Sequence, residues 1–254
     1  MSPSEFEPQH SALSTHLSPL TPYSSPLKLG LFGGSFNPIH NGHLAIARMA
    51  CDRLRLDRIL FIPAGDPPHK RDGSLAPAED RYQMVRLAIA GIPTFDLSDM
   101  EIRRTGKSYT IDTIRTLQHQ YGPATELFFL IGLDAFLDFH NWKSPAELLQ
   151  LCRFVIVPRP GQSFLSLENV PLLPKLDRHA LVRLDTGELP QLDLPIPSCP
   201  GITCLPIPPC PTSSSEIRER IRRGKTAANM LPPSVESYIL HHCLYQEARD
   251  RTHI

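Results

Sequence analysis

The sequence has no excess of charge of either sign. Its 254 residues include 26 Lys and Arg against 26 Asp and Glu, which gives a formal net charge of zero at pH 7. Proteins that bind a nucleic-acid duplex usually carry a basic surplus, because phosphate contacts supply much of the affinity. The balance therefore predicts no nucleic-acid partner, and any anion-binding site must be local.

Long hydrophobic runs and paired cysteines are also absent. No apolar stretch approaches the length of a membrane span or follows a basic start as a secretion signal does, which predicts no membrane partner. The six cysteines are spaced irregularly, without a CxxC pair, so we interpret Cys199, Cys204 and Cys210 as unrelated thiols rather than metal ligands. These absences indicate a soluble globular protein of the reducing cytoplasm.

From Leu27 onward, short apolar segments alternate with segments whose apolar residues recur at helical spacing. Strands are predicted at 27–32, 58–64, 94–98, 126–132 and 153–161, and helices at 42–54, 78–91, 109–122, 213–225 and 232–244. Strands that are apolar on both faces and alternate with helices imply a parallel sheet covered on both sides. The predicted fold class is therefore α/β, a doubly wound parallel sheet of the Rossmann-like type.

Two regions do not follow this pattern. Residues 1–26 are rich in Ser and Pro without periodicity, a composition typical of a disordered tail. Prolines recur every few residues over about 162–211, and because proline removes backbone donors, we expect an irregular excursion there that includes at most short strands. The remaining chain, 27–245, is interpreted as a single domain that carries this Pro-rich insertion.

The segment GLFGGSFNPIHNGH, residues 30–43, links the first strand to the first helix. Small residues at Gly33 and Gly34 allow backbone amides to approach a phosphate, and the following helix N-terminus adds unpaired N–H groups. The glycine spacing is not the G-x-G-x-x-G of dehydrogenases. A P-loop ending in the GKS of residues 106–108 fails as well, because position 101 is Glu. We therefore predict an anion cradle of another type.

Two histidines stand three residues apart at the start of this helix, so the rings of His40 and His43 can face the same opening. An imidazole there can donate hydrogen bonds to a phosphate whose negative charge grows in a transition state. A single histidine near a helix start is more often structural, but two behind a glycine turn favour a functional role.

The segment GGSFNPIHNGHL resembles the nucleotidyltransferases with an H-x-G-H motif, and among them the bacterial nicotinate-nucleotide adenylyltransferases. Further segments follow in that family's order: FIPAGDPPHK (61–70), SYTIDTIRTL (108–117), FLIGLDAFLDFHNW (129–142), VIVPRPG (155–161) and SSSEIRERIRRG (213–224). The resemblance covers roughly 27–161 and 212–239. Its departures, Ser215 for the usual threonine and Thr212 for isoleucine, leave the polar chemistry intact.

The resemblance implies that ATP and nicotinate mononucleotide react to nicotinate adenine dinucleotide and pyrophosphate in NAD synthesis, with Mg²⁺ held mainly by the ATP phosphates and by no protein ligand. The catalytic residues would be His40, His43, Lys70 and Arg218. The ATP site would comprise Gly33, Gly34, Ser35, Phe36, His40, His43, Asp134, Arg159, Ser213, Ser214, Ser215 and Arg218. Nicotinate mononucleotide would lie against Ser108, Tyr109, Thr110 and Trp142.

Several of these residues have simpler alternative roles. Helix capping alone would explain one serine of 213–215, and Asp134 could likewise be an N-cap. Trp142 could be an ordinary core residue, and Lys70 a solvated loop lysine, although Pro67 and Pro68 stiffen the approach to it.

Alternative functions are also open at this point. Pantetheine-phosphate adenylyltransferase shares the glycine-histidine entry but lacks the SYTIDT and RPG segments, and a catalytically silent nucleotide-binding regulator would keep the cradle without the chemistry. An aminoacyl-tRNA synthetase fragment would share only the H-x-G-H. The sequence leaves the oligomeric state open.

Overall fold

A computed structural model of the protein describes residues 26–68, 75–208 and 212–246. The strands are β1 Lys28–Gly34, β2 Arg58–Pro63, β3 Phe95–Leu97, β4 Glu126–Gly132, β5 Arg153–Val157, β6 Leu192–Leu194 and β7 Ile202–Cys204. The α-helices are α1 Asn41–Leu54, α2 Ala78–Ile89, α3 Met100–Arg103, α4 Thr110–Tyr121, α5 Leu133–Leu137, α6 Pro145–Leu151, α7 Arg178–Asp185, α8 Ser214–Arg222 and α9 Pro233–His241, with 3-10 turns at Phe139–Asn141 and Phe164–Asn169. The tail predicted at 1–26 lies outside the described residues except for Pro26.

Within the described residues, the strands form one sheet in the order β3-β2-β1-β4-β5-β7-β6. All neighbouring pairs are parallel except β6 and β7. The chain moves outward from β1 to β3, then returns to β4 on the other side of β1. In doubly wound sheets, ligands bind at such a reversal, outside the carboxyl ends of the strands. The predicted doubly wound sheet is confirmed, and its switch point lies between β1 and β4.

The sheet has a hydrophobic core on each face because successive side chains of its central strands point in opposite directions. In β1, Leu29 and Leu31 belong to one core, whereas Phe32 belongs to the other. Helices α4, α5, α6 and α7 contribute to the first core, and α1, α2, α8 and α9 to the second. This two-sided burial explains the near-continuous apolar runs of the strands.

The described part of the Pro-rich segment, residues 162–208, contains short elements that join the sheet and its core. It contains α7 and the strands β6 and β7, and β7 pairs in parallel with β5. Leu181, Leu184 and Ile202 are buried and belong to the core under β4 and β5. Up to residue 208, the prolines of this segment lie between these elements rather than inside them, so they do not interrupt the ladder of hydrogen bonds.

No helix in the described ranges is both long enough and apolar enough to cross a membrane.

Candidate active site

The glycines at the end of β1 are not required by packing. A Cβ added to Gly33 would lie 3.6 Å from the Phe129 ring, and one added to Gly34 would lie 3.4 Å from the Phe36 ring, both ordinary contacts. Packing would therefore tolerate a side chain at both positions. A ligand that approaches the backbone here gives these glycines a purpose, as the cradle prediction requires.

The loop after β1 folds back under the first turn of α1. Phe36 has a positive φ of 44° and a buried ring that lies edge-on to His43, with 5.2 Å between the ring centroids. The ring is therefore a support for His43, and a contact of Phe36 with ATP would have to come from its backbone. Asn37 is also buried, and its side-chain oxygen accepts hydrogen bonds from Ala76 N at 2.9 Å and Tyr245 Oη at 2.8 Å.

The rings of the two histidines are in contact, with their planes tilted, at the N-terminus of α1. Their ring centroids are 3.8 Å apart with 34° between the planes. His40 is the N-cap, and its backbone N–H donates to Nδ1 of His43 at 3.2 Å. An Nδ1 that accepts a hydrogen bond carries no proton, so the proton of the neutral His43 ring is on Nε2. His43 is thus a hydrogen-bond donor through Nε2 at any protonation state.

His40 is held neutral by its surroundings. Burial, with a smaller contribution from the positive charge of Arg159, lowers the pKa of His40 from 6.5 to about 4. The backbone N–H of His43 is directed at the His40 ring in a capping box, yet Nδ1 of His40 forms no hydrogen bond of normal geometry with any described residue. A buried polar atom without a partner is costly, which is consistent with a partner supplied by a ligand.

The lowered pKa of His40 predicts that stability falls at mildly acidic pH. The unfolded chain takes up a proton near pH 6.5, whereas the folded protein takes it up only near pH 4. The stabilisation is therefore fully present above pH 6.5 and is lost as the pH falls towards 4, by about 2 kcal/mol between pH 7 and pH 5. Chemical denaturation at the two pH values should show a smaller loss for His40→Asn, which keeps a good N-cap residue.

His119, exposed near the end of α4, supplies the matched control. His119→Asn should lose as much stability on acidification as the wild type. An equal loss in His40→Asn and the wild type would contradict the role given to His40.

Helix α8 docks its N-terminus on the loop before α1. Ser213 caps α8 by accepting a hydrogen bond from Glu216 N at 3.2 Å, so the capping alternative describes this serine. Ser214 donates to Pro38 O at 2.9 Å, and Nη1 of Arg218 donates to Asn37 O at 2.8 Å. Contacts of this serine run with phosphates would therefore come from the free backbone amides of the first turn as well as from hydroxyls.

The exits of β4 and β5 bring a second pair of predicted residues together. Asp134 and Arg159 form an ion pair at 3.2 Å, with side chains 41% and 67% exposed. Asp134 is not the cap of α5, because Gly132 occupies the N-cap position, so the capping alternative does not hold. Arg159 is also close enough to affect the pKa of His40, which places this pair next to the histidines.

The segment predicted to bind nicotinate mononucleotide forms the entry to α4. Tyr109 is its N-cap residue and Thr110 its first residue. Trp142 packs on Phe139 with 5.6 Å between the ring centroids and remains partly exposed. Ser108, in contrast, is buried, and its hydroxyl accepts hydrogen bonds from Gly65 N at 3.1 Å and Asp66 N at 3.3 Å. A direct contact of Ser108 with substrate stays a prediction.

Metal ligands are not grouped in the described ranges: no cluster of three or more His, Cys, Asp and Glu side chains there could hold an ion. Lys70, predicted to contact the triphosphate, lies outside the described residues, as does Cys210. Cys204 is buried in β7, and burial raises the pKa of its thiol, so it stays protonated. Cys199 is partly buried in a loop.

Sequence reasoning missed two buried charged residues beside the site. Arg81 is 1% exposed, although α2 would be read with its apolar face at Met84 and Val85. Glu101 is 8% exposed and accepts a hydrogen bond from Thr113 Oγ1 at 2.6 Å. Burial raises the pKa of Glu101, partly offset by that hydrogen bond. Arg81 stands three residues before Met84 and four before Val85, which places it on the same buried face of α2. This spacing is the signal that could have indicated its burial.

Comparison with known proteins agrees with this geometry. Residues 31–220 match the cytidylyltransferase-like family. The chain is 41% identical over 225 residues to a protein of Geotalea uraniireducens named "probable nicotinate-nucleotide adenylyltransferase", covering 88% of this chain and 100% of that protein. A protein of the same name from Geotalea daltonii is 42% identical over 223 residues, covering 88% of this chain and 100% of its own.

The fold also resembles that of a solved structure. The nicotinic acid mononucleotide adenylyltransferase of Plasmodium falciparum, complexed with NaAD, superimposes with a TM-score of 0.63 at 19% identity, covering 86% of this chain and 97% of that one. At this identity the likeness establishes the fold. The family match and the two bacterial relatives confirm the resemblance of the motifs: the chain belongs to the cytidylyltransferase-like family and, within it, to the nicotinate-nucleotide adenylyltransferases.

Proposed function

We propose that this protein transfers the adenylyl group of ATP to nicotinate mononucleotide. A 5′-phosphate oxygen of the mononucleotide attacks the α-phosphorus, the bond from that phosphorus to the α,β-bridging oxygen breaks, and pyrophosphate leaves with the electron pair. The attacking phosphate is already an anion, so the reaction needs no general base. It needs positioning of both nucleotides and neutralisation of the charge around the α-phosphate.

The observation that carries the proposal is the pair of imidazoles in contact at the N-terminus of α1, after a β1 exit with two glycines that packing alone does not require. His43 presents an Nε2–H because its Nδ1 is occupied by the backbone N–H of His40. Such a donor stabilises the negative charge that builds up on the α-phosphate oxygens. His40 stays neutral at pH 7, so it adds a polar ring to the site without adding a positive charge.

Arg218 lies near the N-terminus of α8, against the loop that precedes α1. Its guanidinium is anchored to Asn37 O, in the loop that leads to His40, and its second nitrogen is 3.4 Å from Ser215 Oγ. A guanidinium held at a helix N-terminus provides fixed hydrogen-bond donors for phosphate oxygens. We assign Arg218, with Lys70, to the β- and γ-phosphates.

We further propose that Mg²⁺ accompanies ATP, where it would supply neutralisation of phosphate charge. Asp134, the carboxylate at the β4 exit, is already paired with Arg159, so phosphate oxygens and water are the better ligands for the ion. The residues named here would act on the nucleotides themselves, by holding and orienting the phosphates.

The proposed setting is the cytoplasm, with ATP and nicotinate mononucleotide as partners and with neither a nucleic acid nor a membrane. The balanced charge of the chain supports this setting, because both of those partners usually require a basic surface.

Pyrophosphate release tests the proposal. The purified protein is incubated with ATP, Mg²⁺ and one acceptor at a time: nicotinate mononucleotide, nicotinamide mononucleotide or 4′-phosphopantetheine, with a reaction lacking acceptor as the control for ATP hydrolysis. Mass spectrometry identifies the adenylylated product. We expect release with a pyridine mononucleotide. Release with 4′-phosphopantetheine would favour that alternative, and no release with any acceptor would favour a silent nucleotide-binding protein.

A further inference from the structure

Arg81 is a fully buried arginine that holds three backbone carbonyls. It lies in the first turn of α2 and is 1% exposed. Its Nε donates to Ala76 O at 3.0 Å, Nη1 to Ser35 O at 2.9 Å and Nη2 to Gly65 O at 3.1 Å. Burying a guanidinium is costly unless its donors are satisfied, so a chain that keeps it there gains something an apolar residue would not provide.

The three carbonyls belong to different segments around the site. Ser35 is in the loop between the cradle glycines and His40, Gly65 follows β2, and Ala76 stands two residues before α2. The planar guanidinium projects its donors in fixed directions, so these three segments are held at fixed separations. Lysine, with one nitrogen, cannot reproduce that fork.

Hydrogen bonds also link the segment of Gly65 to Ser108, which precedes the segment predicted to bind nicotinate mononucleotide. Ser108 Oγ accepts from Gly65 N and Asp66 N, and Ser108 N donates to Asp66 O at 2.9 Å. Gly65 also packs directly on α3, because a Cβ at this position would lie 2.2 Å from Glu101 O. Ser108 immediately precedes Tyr109, the N-cap of α4. The hydrogen bonds therefore run without a break from Ser35, through Arg81 and Gly65, to Ser108.

We propose that Arg81 is a positioning residue that sets the distance between the ATP half and the nicotinate mononucleotide half of the site. The inference rests on the proposed function, since it concerns the alignment of those two substrates. Ser35 stands on the ATP side, and Ser108 leads into the segment of Tyr109 and Thr110. An in-line displacement depends steeply on the placement of its two partners, and a shift of about 1 Å can cost roughly 10²-fold in rate. Arg81 acts through backbone geometry and contacts neither substrate.

The first test compares Arg81→Lys with Arg86→Lys on the same helix. Arg86 is exposed and donates to Gln83 Oε1 at 2.7 Å, so its replacement controls for a cation exchange in α2. In Arg81→Lys we expect kcat to fall about tenfold, whereas KM for each substrate changes less than about threefold. Arg86→Lys should match the wild type. A kcat within twofold of the wild type in Arg81→Lys, or a loss that appears only as a lower fraction of folded protein, would overturn the proposal.

The second test uses Ser108→Ala and the double variant that combines it with Arg81→Lys. Ser108→Ala alone serves if Arg81→Lys folds poorly. Ser108→Ala should lower kcat, and the double variant should lose less than the product of the two single losses, because both act through Gly65. Fully multiplicative losses would overturn the proposed connection.

Amide hydrogen exchange separates this inference from the proposed function, because it does not depend on activity. We expect faster exchange at 64–66 and 108–110 in Arg81→Lys but not in Arg86→Lys. Unchanged exchange at 108–110 in Arg81→Lys would overturn the positioning role even if the wild type releases pyrophosphate. Faster exchange at 108–110 in Arg81→Lys, together with no pyrophosphate release by the wild type, would instead count against the proposed function alone.

Discussion

His43→Ala is expected to lower kcat by about 10²- to 10³-fold, the loss typical of removing one hydrogen-bond donor to transition-state charge. The ring is held in place by His40, at 3.8 Å between centroids, and by Phe36 and Phe32, at 5.2 and 5.9 Å. Its Nδ1 is occupied, so Nε2–H is its donor. Since the donor matters most when charge has built up, KM should change less than kcat. Steady-state kinetics with ATP and nicotinate mononucleotide gives both values.

His43→Gln distinguishes catalysis from helix capping. His43 stands at the third position of α1 and accepts the N-cap N–H, which glutamine at this position also does. His43→Gln should therefore melt close to the wild type, whereas His43→Ala should melt lower. Both should have low kcat, because neither carries the imidazole. His119→Ala, which changes an exposed histidine, should leave kcat unchanged. If kcat of His43→Ala stayed within a few-fold of the wild type, His43 would be only structural.

The sequence predicted the parts of the fold in which local pattern and burial coincide. The first strand was expected at 27–32 and spans Lys28–Gly34, and the first helix was expected at 42–54 and spans Asn41–Leu54. An apolar run between glycine and proline signals reads as a strand without knowledge of its neighbours. The order of strands and the neighbours of each strand depend on distant pairing, and for these the alternation of strands and helices was the available guide.

In the Pro-rich segment, local pattern allowed short strands but could not locate them. Strands of three residues, such as Leu192–Leu194 and Ile202–Cys204, are too short to display an alternating pattern. Their stability comes from the pairing of β7 with β5 and of β6 with β7, and from burial of residues such as Ile202. Proline density was taken as a property of the whole segment, but its effect is confined to the positions that the prolines occupy.

The sequence predicted which residues belong to the candidate site but not the contacts that these residues form with one another. Asp134 and Arg159 were assigned to ATP separately, and the sequence could not show that they pair, because β4 and β5 must first become neighbours. The three serines of 213–215 looked equivalent, yet one caps α8 and another docks it on Pro38. Arg81 has an entirely tertiary role, since its acceptors lie 5, 16 and 46 residues away.

The wild-type protein is expected to prefer nicotinate mononucleotide to nicotinamide mononucleotide by roughly 10²-fold or more in kcat/KM. Nicotinate mononucleotide carries a carboxylate where nicotinamide mononucleotide carries an amide. This group is predicted to bind at the N-terminus of α4. Tyr109 is the N-cap and Thr110 the first residue, and the hydrogen bonds of the first turn begin with Asp112 N, which donates to Tyr109 O at 3.1 Å. The N–H groups of Thr110 and Ile111 therefore precede the intrahelical hydrogen bonds and lie at the positive end of the helix. Fixed N–H groups donate hydrogen bonds to the oxygens of a carboxylate, whereas the NH₂ of an amide would face them as a second donor.

A lysine adds to this polarity. Lys143, which follows Trp142, holds its Nζ 4.6 Å from the centroid of the Tyr109 ring and 3.0 Å from Asp112 Oδ2. Its charge is shared with Asp112, so the backbone donors of α4 supply most of the discrimination and the lysine a smaller part. The preference is therefore built from groups that an amide would leave unpaired, and unpaired polar groups in a binding site are what allow large discrimination.

Steady-state kcat/KM on both mononucleotides decides the prediction, with Trp142→Ala as the matched variant. The indole is predicted to stack on the pyridine ring, which both substrates possess, so its loss should raise KM for both and leave their ratio unchanged. Lys143→Met should lower the ratio only a few-fold, because the helix amides persist. Equal kcat/KM values for acid and amide in the wild type, or a preference for the amide, would show that the entry to α4 is no more than a capped helix. Such a result would overturn the assignment of nicotinate mononucleotide as the preferred acceptor, but it would leave the proposal of adenylyl transfer at the histidines in place.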